Sequence, residues 1–268
     1  MNIVEQSARM FNGDNPCIMD WLMRHRHQGG KLLEIQVGLN APLLLAAIDD
    51  LYQQVIDDGI QKVLFQARDG CLMLPLWRKI HPDIEATYFY ASRDCWRTAS
   101  DGFRAYYERE STGKTCLVDF ISAGKSMVVA AKLGMDIRRV HTVMFMDWLA
   151  DPPLPGKYSW SVTMSSTPVY CSGPEMLNYD VMPQVMDVSA SGVPVLSSEV
   201  EYDMKQVDAM HKAFMDMLDD APVCRIKNAS FSVHGAFREI DRHRQFLDQC
   251  FPGHVVMEKA RLSKWGAM

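Results

Sequence analysis

The stretch TCLVDFISAGKS, residues 115–126, passes from apolar residues through one acid, Asp119, into a small-residue turn ending in Gly124-Lys125-Ser126. A short apolar, β-branched run closed by glycine predicts a buried strand and turn. MVVAAKLGM, residues 127–135, then predicts a helix. The same unit recurs on both sides. KVLFQ at 62–66 predicts a strand entering the turn Arg68-Asp69-Gly70, and CLMLPLWRKI at 71–80 a helix that tolerates Pro75 only in its first turn. ATYFYASRD at 86–94 predicts a strand running into Ser92-Arg93-Asp94, followed by a helical patch with Trp96 and Arg97. VHTVMFMDW at 140–148 predicts a further strand ending at Asp147-Trp148. Upstream, Leu44, Ile48, Leu51, Tyr52 and Val55 keep a helical period that stops at Gly59. Strand–helix alternation over residues 40–148 predicts an α/β fold with a largely parallel sheet.

The flanks differ in texture. Residues 1–37 form an N-terminal helical segment. A helix around Ile18–Arg26 has Met19, Leu22 and Met23 on one face, and Arg24, His25, Arg26 and His27 follow as a solvated end. Residues 38–150 form the α/β core. Residues 151–268 form an α-rich C-terminal cap or accessory region. It opens with a Pro/Gly turn, DPPLPGKYSW, and carries an acidic helix at 201–220 with Met204, Val207, Met210, His211, Phe214 and Leu218 on one face. GAFREIDRHRQFLDQCF at 235–251 is another helical piece, before a basic tail with Trp265.

Composition narrows the function. The 268 residues are 48% hydrophobic and 23% charged, with net charge −5 and a pI near 5.9. No basic block offers a groove to nucleic acid. No uninterrupted apolar run reaches the ~18–20 residues of a membrane span, and the N-terminus lacks a signal-peptide pattern, so a cytoplasmic location is expected. The seven cysteines show no Cys-x-x-Cys spacing and read as reduced, mostly buried thiols. The 19 methionines are scattered and read as core filler.

In a parallel sheet the loops after the strand ends build the site. Those loops carry Arg68, Asp69, Gly70, Ser92, Arg93, Asp94, Asp119 through Ser126, Asp147 and Trp148. A P-loop is disfavoured at 119–126, because the first glycine of Gly-x-x-x-x-Gly-Lys-Ser/Thr is replaced by Asp119, and a carboxylate there repels a phosphate. The second Gly-Lys-Thr, at 113–115, has Glu108 in that position and precedes its strand.

Leu117-Val118-Asp119, then Ser122-Ala123-Gly124-Lys125-Ser126 before a helix, resembles the phosphate cradle of type I phosphoribosyltransferases. The resemblance implies that Asp119 holds ribose hydroxyls of a pyrophosphate-activated pentose. Ser122, Gly124, Lys125 and Ser126 would cradle the 5-phosphate at a helix N-terminus. Arg68, Asp69, Gly70 and Arg93 would hold the pyrophosphate, with Mg²⁺ on Asp69 and Asp119, and Ser92 and Asp147 would contact substrate. Phe120 stands where that family has a second acid, and the loop is one residue shorter. The ordinary structural roles for these positions are an Arg-Asp surface pair at 68–69 and a helix N-cap at Ser92.

A second resemblance covers roughly residues 38–218. APLLLAAIDDL, LFQARDG, YASR, LVDFISAG and GVPVLSSEVEYDMKQVDAMHKAF occur in the order found in a group of proteins from surface-polysaccharide gene clusters, many labelled hydrolases of the haloacid dehalogenase (HAD) superfamily. The two resemblances imply a phosphoribosyltransferase-like or HAD/Rossmann-like core. The leading expectation is a transferase of activated pentose in surface polysaccharide synthesis, taking a sugar phosphate and a glycan acceptor. The alternatives are a HAD-like hydrolase of a phosphorylated sugar with Asp69 as nucleophile, and a non-catalytic sugar-phosphate-binding module. HAD phosphatases need Asp-x-Asp. Here Asp69, Asp119 and Asp147 are followed two residues on by Cys71, Ile121 and Leu149.

Overall fold

The computed structural model describes residues 3–11, 15–26, 29–146, 154–164, 172–200, 202–226 and 228–256. Helices α1 (Ile3–Met10) and α2 (Pro16–Arg24) precede α3 (Lys31–Ile35), a π-helical turn (Gln36–Asn40) and α4 (Ala41–Asp57). The alternating part follows: β1 (Lys62–Gln66), α5 (Met73–Ile80), β2 (Glu85–Phe89), α6 (Arg93–Thr98), α7 (Asp101–Glu110), β3 (Thr115–Ser122), α8 (Lys125–Lys132) and β4 (Arg139–Met146). Then come β5 (Tyr158–Met164), α9 (Ser172–Leu177), β6 (Val185–Val188), β7 (Pro194–Leu196), α10 (Met204–Met215), α11 (Ala229–Asp241) and α12 (Arg244–Cys250).

The first five strands form one parallel sheet in the order β2-β1-β3-β4-β5. Parallel neighbours need crossovers, and α5, α6–α7 and α8 supply three of them. Strand residues alternate between two cores, as a pleat requires. Val63, Phe65, Cys116, Val118 and Phe120 pack with α4, α5 and the terminal helices. Leu64 and Leu117 pack with Phe89, Trp96, Phe103 and Met127, on the face covered by α6, α7 and α8. The result is an α/β fold, a five-stranded parallel sheet flanked by helices.

Three features differ from the sequence-based expectation. The sheet does not end before residue 150: β5, which begins within the stretch expected to be a Pro/Gly turn, pairs in parallel with β4. Its tyrosine, tryptophan and valine alternate with serines, but the Pro/Gly cluster just before it masks that pattern. The strand holding Asp119 also runs on to Ser122, because Asp119, Ile121 and Ser122 pair with Thr142, Met144 and Phe145 of β4. The turn is therefore only Ala123-Gly124. Finally, the helical run Lys31–Asp57 is long and apolar enough to cross a membrane by length and composition. In this fold it is a core element, with 78% of its most apolar window buried.

The terminal regions share one core with the sheet: Ile18, Trp21, Val207, Phe214, Val233 and Phe237 join the cluster of Phe65 and Val118. The basic run after α2 meets a carboxylate of its own chain, with Arg24 Nε 3.1 Å and His25 Nε2 2.6 Å from Asp220. Within the long helix, Asn40 Nδ2 donates to Asn178 Oδ1 at 3.2 Å, and Asn178 Nδ2 returns a bond to Asn40 Oδ1 at 3.0 Å. This buried amide pair pins the end of α9, whose Glu175 faces the cleft described next.

Candidate functional site

The sheet order reverses direction between β1 and β3, since the chain first builds outward to β2 and then returns to the other side of β1. Ligands of open parallel sheets bind outside the carboxyl ends of the strands at such a point. A cleft of about 270 Å³ lies there. Its floor and walls come from Gln66–Asp69 at the end of β1, Ala91–Asp94, Trp96 and Arg97 after β2, Asp119 and Ile121–Ser126 on β3 and α8, Met146, Glu175, and Gln184–Val185.

The β1 turn is shaped by close backbone approach. Gly70 N–H donates to the Gln66 carbonyl at 2.9 Å, and a Cβ on Gly70 would meet that carbonyl at 2.6 Å and Phe65 Cβ at 2.9 Å. No larger residue fits without moving the strand end. Gly70 does not line the cleft itself; it lets Arg68 and Asp69 do so. The Arg68 guanidinium lies over the rings of Tyr179 and Tyr202, 5.1 and 5.6 Å from their centroids. Such stacking orients the guanidinium at the edge of the cleft. Behind the turn, the Tyr88 hydroxyl sits 2.5 Å from Asp180 Oδ2 and 3.3 Å from the Arg68 carbonyl.

After β2, Ser92 is the N-cap of α6: its Oγ accepts from the N–H groups of Asp94 (3.1 Å) and Cys95 (3.4 Å). Ser92 thus lines the cleft and caps a helix at once. Arg93 follows at the first helical position. Trp96 anchors this wall, edge-on to Phe103 at 4.9 Å between centroids, and its Nε1–H donates to Gln66 Oε1 at 2.8 Å. Gln184 Nε2 donates to Asp94 Oδ2 at 2.9 Å and ties α6 to the segment before β6.

On β3, Asp119 follows Leu117 by two residues, on the same side of the pleat, and lines the cleft. Burial pushes its carboxyl up to about 6. The Ser122 hydrogen bond, the Arg93 charge and the Phe120 N–H pull the other way, and the Glu175 charge adds to the rise. Ser122 Oγ accepts from Gly124 N–H at 2.9 Å, closing the turn. Gly124 sits at φ 68°, in the left-handed region that favours glycine, and heads α8 without a side-chain cap. The start of α8, at Gly124, Lys125 and Ser126, lines the cleft, and a helix N-terminus favours an anion.

Arg68, Asp69, Ser92, Arg93, Asp119, Ser122, Gly124, Lys125 and Ser126 are thus brought into one cleft from three loops. Asp147 lies outside the described residues. Sequence reasoning did not single out Gln66, Glu175 or Gln184 as site residues, placed Asp94 in a site-building loop without giving it a role, and treated Trp96 and Arg97 only as part of a helix. Gln66 Nε2 is buried and has no hydrogen-bond partner among the described residues. Only its place at the end of a strand marked it. Glu175 and Gln184 come from beyond β5 and carried no local signal. Among the described residues, no group of three or more His, Cys, Asp or Glu is placed to hold a metal ion. The cleft lining carries four carboxylates, on Asp69, Asp94, Asp119 and Glu175.

A comparison with models of protein families gives no match for this chain, and a search of curated proteins gives none either.

Proposed function

We propose that the chain is a phosphoribosyltransferase-like glycosyltransferase, moving a ribosyl or phosphoribosyl group from a pyrophosphate-activated pentose to a surface-glycan acceptor. The observation that carries this reading is the convergence of Asp119 with the uncapped start of α8 and with the arginine-bearing loops after β1 and β2, at the point where the strand order reverses. The N–H groups of Lys125 and Ser126, with the Lys125 ammonium, take the 5-phosphate. Asp119 accepts from the ribose hydroxyls. Arg68 and Arg93 fork onto the pyrophosphate oxygens as the anomeric C–O bond lengthens, where fixed cations stabilise the departing charge. Asp69 and Asp119 would hold Mg²⁺, a hard ion that is bound through one or two carboxylates together with substrate phosphates. The ion would supply charge neutralisation of the leaving group.

The HAD-like alternative is weaker. The general-acid position after Asp69 is Cys71, whose thiol turns to the carbonyls of Asn178 (3.5 Å) and Tyr179 (3.8 Å), and burial raises it well above its ordinary value. It is neither an acid near neutral pH nor part of the cleft lining.

Calorimetric titration with phosphoribosyl pyrophosphate and Mg²⁺ tests the proposal. Saturable, Mg²⁺-dependent binding that is lost in Asp119→Asn is expected. Absence of binding at millimolar ligand refutes it. Binding with no turnover across a panel of glycan acceptors favours the non-catalytic binding module.

A further inference from the structure

The sulfurs of Cys17 and Cys224 lie 2.8 Å apart, although 207 residues separate them in the chain. Both are free thiols, Cys17 exposed and Cys224 half-buried. The contact belongs to a docked helix face. Cys17, Trp21, Arg24 and His25 fall at helical spacing along α2, so they share one side. Each meets the segment between α10 and α11. Trp21 Nε1–H donates to the Met217 carbonyl at 2.9 Å, while Arg24 and His25 hold Asp220. The cysteine pair completes this seam at the N-terminal end of α2. Trp21 is fully buried, so the seam is part of the core and the two sulfurs are held together by the fold around them.

We propose that Cys17 and Cys224 form a reversible dithiol–disulfide site, closed by exchange with a low-molecular-weight disulfide of the glutathione type. The Cys17 thiolate attacks one sulfur of the small disulfide, forming a mixed disulfide and releasing one small thiolate, which takes up a proton. Cys224 then gives up its proton and attacks the Cys17 sulfur. The mixed S–S bond breaks and the second small thiol leaves. Two protein thiols are oxidised to one disulfide, and one small disulfide is reduced to two thiols. Burial and the neighbouring Cys17 push the Cys224 thiol up to about 12, which assigns the first attack to the exposed Cys17. The closed bond fastens the N-terminal helix to the segment leading into α11, on the sheet face opposite α6–α8. It leaves the cleft residues untouched.

The site is tested on the full chain, reduced and then incubated with oxidised glutathione. The sample is quenched with N-ethylmaleimide in denaturant and mapped by mass spectrometry. The expected product is a peptide pair joined through Cys17 and Cys224, two hydrogens lighter than the reduced pair and released by dithiothreitol. A disulfide closing so long a loop is expected to raise the melting temperature by roughly 5–10 °C. Cys224→Ser is expected to stop at glutathione on Cys17, with no gain in melting temperature. The proposal is overturned if the folded wild type keeps both thiols alkylatable, or if glutathione stays on Cys17 while Cys224 is present.

Discussion

Replacing Asp119 by asparagine is expected to stabilise the ligand-free protein while abolishing binding. The Asp119 carboxyl titrates at about 6 in the fold, against an ordinary value of 3.8. The folded state therefore binds this proton more tightly than the unfolded chain does, and stability falls as pH rises from about 4 to about 6. A gap of roughly two pH units corresponds to about 3 kcal/mol once both values are passed. That figure is an upper bound, because the carboxylate faces the cleft and its water, and because Arg93 loses an opposing charge in the variant. A gain of about 1–3 kcal/mol above pH 7 is the working expectation. With an unfolding entropy near 0.6 kcal/mol/K for a chain of this length, it appears as a rise of about 2–5 °C in melting temperature. Thermal melts of wild type and Asp119→Asn between pH 4 and pH 8 measure it. The two curves should meet near pH 4, separate through pH 6 and run parallel above. A variant less stable at pH 8, or equally displaced at pH 4 and pH 8, refutes the account of Asp119 as a desolvated carboxylate kept for ligand.

Other perturbations read the scaffold around the cleft. Gly70→Ala drives a Cβ into the Gln66 carbonyl and should cost about 1–3 kcal/mol, seen as a lower urea midpoint; an unchanged midpoint would show that the β1 turn yields freely. Trp96→Phe removes the donor at 2.8 Å from Gln66 Oε1 and leaves that buried amide unpaired, for a loss of about 1–3 kcal/mol by equilibrium denaturation. His141 is buried, and burial, with the Arg139 charge, lowers it to about 3. The unfolded chain binds this proton near 6.5, so the His141 contribution is present above pH 6.5 and is lost as pH falls toward 3. His141→Asn should flatten the fall in stability between pH 6.5 and pH 4; an unaltered slope would mean that another group governs acid unfolding.

The alternating part of the fold was legible because its cause is local. Val63, Leu64 and Phe65, or Cys116 to Val118, are apolar on both faces, as central parallel strands must be, and each helix between them carries its own period. Polar residues at successive strand ends pointed to one rim of the sheet, and the loops bearing Arg68, Ser92 and Ser122 do meet there. The edge strand β5 was not legible. Its residues form a strand because β4 offers an open ladder, a partner that a window along the chain cannot contain. The same holds for Asp119, which looked like a loop residue until its pairing with Thr142 placed it within β3.

By itself, the sequence determined which segments become strands and helices in the alternating part, and which end of each strand carries polar chemistry. Periodicity and turn residues act over a few positions, so both are written locally. Only the tertiary structure decided which distant groups share an environment: Glu175 beside Asp119, Arg68 over Tyr179 and Tyr202, Cys17 against Cys224. Those contacts depend on how helices dock on a sheet. Burial, which sets the charge of Asp119, belongs to the packed chain and to no single stretch of it.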